Sequence, residues 1–253
     1  MSFLDQLFSL EGRVVVVTGG SRGLGKAIAL GCARAGADVV IASRKIDACR
    51  ETAAEIEVET GRRAWPYAVH VGRWDQLEPF VDAVYAEFGR IDVLVNNAGM
   101  APRFDKLSDV SEQLFDSTIG LNFKGPFRLS SLVGERMAEA GHGSIINVSS
   151  TGSLRPYQSI VPYASAKAAI NSMTRGMAEA FGPTVRVNTL MSGTMRTDIA
   201  KHWDMDEMTP IIESLWLKRV GEPHEVIGTA LYLASDASSY TTGATIRVDG
   251  GIP

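Results

Sequence analysis

Cysteine is nearly absent from this chain: among 253 residues only Cys32 and Cys49 occur. Two thiols, one of them inside an expected helix, read as a reduced pair and exclude a disulfide scaffold. The histidines His70, His142, His202 and His224 are scattered without ligand spacing, so no metal is expected. No apolar run is long enough to span a bilayer. The opening Met1-Ser2-Phe3-Leu4-Asp5 has no basic n-region, and Glu11 and Arg13 cut short any apolar stretch behind it. Positive charge is also lacking. A net charge of −4 and a pI near 5.6 leave no basic footprint for nucleic acid or anionic membrane. Pro/Ser-rich linkers, charge blocks and repeats are missing too, so 1–253 is expected to form one domain. The expectation is a soluble, cytoplasmic protein acting on a small molecule.

What is present begins with Val14-Val15-Val16-Val17-Thr18-Gly19-Gly20-Ser21-Arg22-Gly23-Leu24-Gly25-Lys26. The valine run reads as a buried parallel strand. Glycines at 19, 23 and 25 permit a tight turn and leave no Cβ between backbone and ligand. The small-residue helix that follows would point its free amides at a phosphate on that turn. The spacing is Gly-x-x-x-Gly-x-Gly rather than the Gly-x-Gly-x-x-Gly dinucleotide fingerprint.

Further strands are expected at Asp38–Ala42, Ala64–Val71, Ile91–Val95, Ser144–Val148, Val185–Leu190 and Ala244–Val248. Between them fall helices ending near Thr60, Phe88, Ala140, Phe181 and Ala234. Strands alternating with helices imply βαβ units, so the fold class is α/β, a doubly wound parallel sheet of about seven strands with helices on both faces. In such sheets ligands bind beyond the strands' carboxyl ends. The glycine turn, Ser43-Arg44, Asn96–Gly99, Ser149-Ser150 and Ser192-Gly193 all follow strand ends and are expected to line one cleft. The segment 194–219, with Met195, Trp203, Met205, Met208, Pro210 and Trp216, is expected to form a lid.

At the end of the second strand an NAD site usually carries an acid for the ribose 2′-hydroxyl, and an NADP site carries cations. Here the positions read Ala42-Ser43-Arg44-Lys45, and the first acid is Asp47, inside the next helix. With Arg22 in the glycine turn, the pattern favours NADP(H) over NAD(H). Tyr163 and Lys167 stand at i and i+4 near the start of a helix, one turn apart on one face. A nearby cation would lower a phenol pKa from its usual value of about 10 towards the working range.

Taken in order, Thr18-Gly19-x-x-x-Gly23-x-Gly25, Asn96-Asn97-Ala98-Gly99, Asn122, Ser150, Tyr163-x-x-x-Lys167 and Val248-Asp249-Gly250-Gly251 make the chain resemble the short-chain dehydrogenase/reductase family. The resemblance spans about Gly12 to Gly251. It implies an oxidoreductase that interconverts a ketone or aldehyde and an alcohol. Tyr163 would be general acid or base, Lys167 would hold the ribose hydroxyls, Ser150 would bind the substrate oxygen, and Asn122 would anchor a proton-relay water.

Cofactor contacts implied by the pattern are Gly19, Ser21, Arg22, Gly23, Leu24, Gly25, Ser43, Arg44, Lys45, His70, Val71, Asn97, Ala98, Gly99, Tyr163, Lys167, Gly193, Met195 and Thr197. The substrate pocket is expected at Ser150, Leu154, Tyr157 and Tyr163, with Arg155 and Ile160 nearby. Two positions depart from the family pattern. His70-Val71 stands where Asp-Val is frequent, and Ser192-Gly193 stands where Pro-Gly is frequent. Alternative activities are reduction of 3-oxoacyl thioesters, oxidation of sugars or polyols, and, in another class, non-catalytic dinucleotide sensing. Family members are commonly tetramers, so the resemblance also implies a homo-oligomer.

Overall fold

The computed structural model describes residues 3–197 and 205–252. In chain order the regular elements are helix α1 (Phe3–Phe8), strand β1 (Val14–Thr18), α2 (Gly23–Arg34), β2 (Asp38–Ser43), α3 (Ile46–Thr60), β3 (Ala64–Ala68) and α4 (Trp74–Phe88). They continue as β4 (Val93–Asn96), α5 (Glu112–Ile119), α6 (Gly125–Ala140), β5 (Gly143–Ser150), α7 (Val161–Phe181), β6 (Val185–Ser192), α8 (Met205–Ser214), α9 (Ile227–Ala234) and β7 (Thr245–Val248).

The strands form one seven-stranded sheet in the order β3-β2-β1-β4-β5-β6-β7. Every neighbouring pair is parallel. The doubly wound α/β expectation therefore holds. The valine run of β1 shows why: side chains alternate between faces, and both faces are covered. Val15 and Val17 pack with Ile28, Cys32 and Ile56 beneath α2 and α3. Val14 and Val16 pack with Leu77, Phe80 and Val133 beneath α4 and α6. The chain reverses direction across the sheet between β1 and β4, which opens a crevice beyond their carboxyl ends.

Several expectations change in detail. The strand placed over Ala64–Val71 ends at Ala68, because its neighbour β2 ends at Ser43 and pairs Ser43 with Ala68. The helix expected over 111–140 is divided by a π turn at Gly120–Lys124. Asn122 Nδ2 donates to the Thr118 carbonyl at 2.9 Å. That is the acceptor the Asn122 backbone N–H would use in an α-helix, so the side chain displaces the ladder. The helix expected from Glu222 begins with a 3-10 turn, Pro223–Val226. Of the segment expected as a lid, residues 198–204, Trp203 included, lie outside the described residues, and α8 occupies 205–214.

Candidate active site

The floor of the crevice is assembled around Thr18, the last residue of β1. Its Oγ1 donates to the Val95 carbonyl at 3.2 Å and accepts from the Asn97 and Ala98 N–H groups at 3.0 and 3.1 Å. Asn97 Nδ2 returns to the Thr18 carbonyl at 2.9 Å. One hydroxyl thus ties the end of β1 to the loop after β4. Gly19 follows with φ 64°, a left-handed conformation that favours glycine. A Cβ at Gly25 would lie 2.2 Å from the Gly19 carbonyl oxygen and 2.4 Å from Asn97 Nδ2. Gly25 is therefore required for packing behind the turn and does not line the cavity.

The cavity encloses about 610 Å³ and runs from Ser43–Lys45, across the glycine turn, to Tyr163 and Lys167. Gly23 and Leu24 present the start of α2 to it. No side chain caps that terminus, so its first amides and positive dipole end are available to an anion.

At one end stand Arg22, Arg44 and Lys45, all exposed and all lining the cavity. None has an acidic partner among the described residues, whereas Lys26, Arg34 and Arg50 nearby are each paired with a carboxylate. Asp47 points to Arg50 at 3.1 Å. The hydroxyls of Ser21 and Ser43 lie 2.9 Å apart between these cations.

At the other end α7 delivers Tyr163 and Lys167 to the cavity wall, while Ser150, the last residue of β5, hydrogen-bonds Tyr163 without itself lining the cavity. Ser150 Oγ accepts from the Gly152 N–H at 3.1 Å, which leaves its own proton free to donate. Lys167 is buried and its Nζ donates to the Val148 carbonyl at 2.7 Å. Nζ also lies 5.8 Å from the centre of the Tyr163 ring. Burial pulls the Lys167 pKa down to about 8. Burial also raises the Tyr163 pKa above its ordinary value, and a hydrogen bond with Ser150 pulls it back. Desolvation is the largest influence on the phenol in this structure.

Asn122 is fully buried and held on three sides. Its Nδ2 donates to the Met100 and Thr118 carbonyls, each at 2.9 Å, and its Oδ1 accepts from the Met100 N–H at 3.2 Å. A Cβ on Gly99 would lie 2.7 Å from Asn122 Oδ1 and 3.7 Å from Lys167 Nζ, so these three residues converge. The side-chain amide is committed to positioning the loop after β4.

The structure brings fifteen of the expected cofactor positions to the cavity wall, from Gly19 to Thr197, and leaves Gly25, His70, Gly193 and Met195 behind it. The His70 ring folds back so that Nδ1 accepts from the Gly72 N–H at 3.1 Å, while Val69 and Val71 line the cavity on either side. A Cβ on Gly193 would meet Asp249 Cα at 2.6 Å, so this glycine serves strand-end packing. The Met195 side chain joins the core. Leu154 and Tyr157 are exposed and stand outside the cavity wall. Sequence reasoning overlooked Ala48 and Met100. Ser149, expected at the cleft as a strand-end residue, does line it, and its Oγ donates to the Lys167 carbonyl at 3.2 Å and so anchors α7.

With this geometry in view, comparison with known proteins is decisive. A family model described as enoyl-(acyl carrier protein) reductase matches residues 19–253. The chain is 37% identical to the short chain dehydrogenase/reductase astE of Aspergillus oryzae, covering 98% of this chain and 97% of that one. The chain belongs to the short-chain dehydrogenase/reductase family. As a member it is an NAD(P)-dependent oxidoreductase that works between alcohols and carbonyl compounds. It is also 37% identical to an L-rhamnose 1-dehydrogenase (NAD(P)(+)) of Azotobacter vinelandii, over 95% of this chain and 96% of that one. Among solved structures, the NADPH-dependent 3-quinuclidinone reductase of Rhodotorula rubra superimposes with a TM-score of 0.93 at 30% identity, covering 100% of this chain and 95% of that one. Among the described residues no helix is long and apolar enough to cross a membrane.

Proposed function

We propose that this oxidoreductase prefers NADP(H) and reduces a ketone or aldehyde with Tyr163 as the general acid, or oxidises the alcohol with Tyr163 as the base. The observation that carries this reading is that Tyr163, hydrogen-bonded to Ser150, and Lys167 meet at one end of a cavity whose other end is lined by Arg22, Arg44 and Lys45, cations without acidic partners among the described residues. The cavity fits a dinucleotide phosphate. Gly19, Gly23 and the amides of α2 suit the pyrophosphate, and Arg22, Ser43, Arg44 and Lys45 suit a 2′-phosphate. Gly99 and Thr197 stand where they would meet the nicotinamide half, and Lys167 would hold its ribose hydroxyls. Bound there, the cofactor supplies the hydride chemistry.

The protein's own part is proton transfer and orientation. The Ser150 hydroxyl donates to the substrate oxygen and fixes its position. The Tyr163 phenol, kept protonated by burial, gives its proton to that oxygen as negative charge develops on it. In the alcohol direction the phenolate takes the proton back. Lys167, buried and cationic below about pH 8, favours the phenolate when it forms. The Thr18 and Asn122 networks hold the loop after β4 against both.

A second substrate class, sugars or polyols, is favoured by the rhamnose dehydrogenase relative. Retention of both Tyr163 and Lys167 argues against a purely cofactor-sensing role. Residues 1–253 are read as one domain with a lid at 194–219, in a cytoplasmic homo-oligomer that is tetrameric by family resemblance. The decisive experiment follows NADPH oxidation over ketones, 3-oxoacyl thioesters and ketoses. Tyr163→Phe is expected to keep NADPH affinity and lose at least about 100-fold in kcat. Unchanged rates in that variant would overturn the mechanism.

A further inference from the structure

Helix α3 turns one face towards the cofactor cleft: Lys45 at its start, then Ala48, Cys49 and Thr52. Ala48 lines the cavity. Thr52 Oγ1 donates to the Ser21 carbonyl at 3.1 Å and so braces the glycine turn. Cys49 lies between them, 0% exposed. Its Sγ is 3.1 Å from Ser43 Oγ, and Ser43 Oγ is 2.9 Å from Ser21 Oγ. The same thiol also reaches the Tyr67 carbonyl, at 3.7 Å. A continuous chain therefore runs from the third strand, through the thiol, to two hydroxyls on the cavity wall beside Arg22 and Arg44. Cys32, equally buried, makes no side-chain hydrogen bond among the described residues.

Counting protons gives the thiol two arrangements, because it has one proton and two acceptors within reach. When the thiol donates to Tyr67, its sulfur is open to the Ser43 proton and competes for it with Ser21 Oγ and the cleft. When the thiol donates to Ser43 Oγ, the Ser43 proton is released towards the cleft. The Tyr67 contact is long and weak, so giving it up costs little. An anion beside Arg22 and Arg44 accepts hydrogen bonds only and therefore selects the second state.

We propose that Cys49 is a positioning residue for the adenosine 2′-phosphate, its thiol proton moving from Tyr67 to Ser43 so that Ser43 can donate to the phosphate. This rests on the NADP(H) reading above. A buried thiol acting only as a small apolar side chain would affect both cofactors alike. The proposed role affects one.

The test measures dissociation constants for NADPH and NADH in the wild type and in Cys49→Ala, Cys49→Ser and Cys32→Ala. Cys49→Ala is expected to weaken NADPH about fivefold to tenfold, with NADH affinity and kcat at saturating NADPH unchanged. Cys49→Ser should restore most of the loss, and Cys32→Ala should behave as wild type. An equal loss for both cofactors, or none, would overturn the inference. A wild type that binds NADH as tightly as NADPH would overturn the coenzyme reading with it. A wild type that prefers NADPH, beside a Cys49→Ala variant of the same preference, would overturn this inference alone. Should Cys49→Ala not fold, the infrared S–H stretching band of the wild type decides. It is expected to shift with adenosine 2′,5′-bisphosphate and not with AMP, and the same response to both would refute the proposal.

Discussion

The ammonium of Lys167 donates to the carbonyl of Val148 at 2.7 Å, inside the protein, with no carboxylate partner among the described residues. The strand that ends at Ser150 thereby holds the helix that carries Tyr163. The arrangement costs stability, because a cation is taken out of water for one neutral hydrogen bond.

Replacing that cation should therefore stabilise the protein while disabling it. The folded Lys167 has a pKa of about 8 against an ordinary 10.5, so the unfolded chain binds its proton more tightly. Stability should rise with pH between those two values and be lowest below about 8. Lys167→Met is expected to gain about 2 kcal/mol at pH 7 after the lost hydrogen bond is subtracted, with turnover abolished. Urea unfolding at pH 7 and pH 10 checks both parts. A variant less stable than wild type at pH 7 would contradict the account.

Ser150 pulls the Tyr163 pKa down against the upward effect of burial. Ser150→Ala should let it climb further. Alcohol oxidation, which needs the phenolate, should then show its rising limb at higher pH, with the maximal rate down roughly 100-fold. Carbonyl reduction, which needs the phenol, should keep its plateau through neutral pH. A pH profile of kcat/KM in both directions distinguishes this from simple loss of activity.

Arg44 faces the cavity without a carboxylate partner among the described residues. Arg44→Asp should repel a 2′-phosphate and offer an acceptor to a 2′-hydroxyl. The ratio of kcat/KM for NADPH to that for NADH is expected to fall at least about tenfold. An unaltered ratio would refute the phosphate assignment.

Thr18 Oγ1 accepts two backbone N–H groups, from Asn97 and Ala98. Thr18→Val keeps the shape and strands the Ala98 N–H, while the Asn97 N–H keeps the Val95 carbonyl at 3.1 Å. A loss of about 1–3 kcal/mol in unfolding free energy is expected, together with weaker cofactor binding. A variant within about 0.5 kcal/mol of wild type would show that the tether contributes little.

Much of this protein is legible along the chain. The alternation of valine-rich runs with helical stretches is enough to call for a parallel sheet, since only strands buried on both faces tolerate such runs. The glycine turn and the Tyr163–Lys167 spacing are local too, set by turn geometry and by one helical turn. What could not be read locally depends on partners far away in sequence. Asn122 breaks its helix because it bonds both Thr118 and Met100, 22 residues away. His70 stands at a cofactor position by sequence order, yet its ring folds back onto Gly72 and leaves the cavity wall to Val69 and Val71. Gly25 belongs to a phosphate motif by spacing, yet its lack of a side chain serves the Gly19 carbonyl and Asn97.

By itself, then, the sequence determined the layers, the strand–turn–helix corner and the Tyr163–Lys167 spacing, because each is a matter of local period and spacing. Only the tertiary structure decided which side chains face the cleft, which of them are already committed to backbone partners, and that a thiol in α3 stands behind the hydroxyls of the cofactor wall. Those outcomes are set by burial and by hydrogen bonds across the sheet, where one donor can satisfy only a few acceptors. Periodicity does not record which acceptor is chosen.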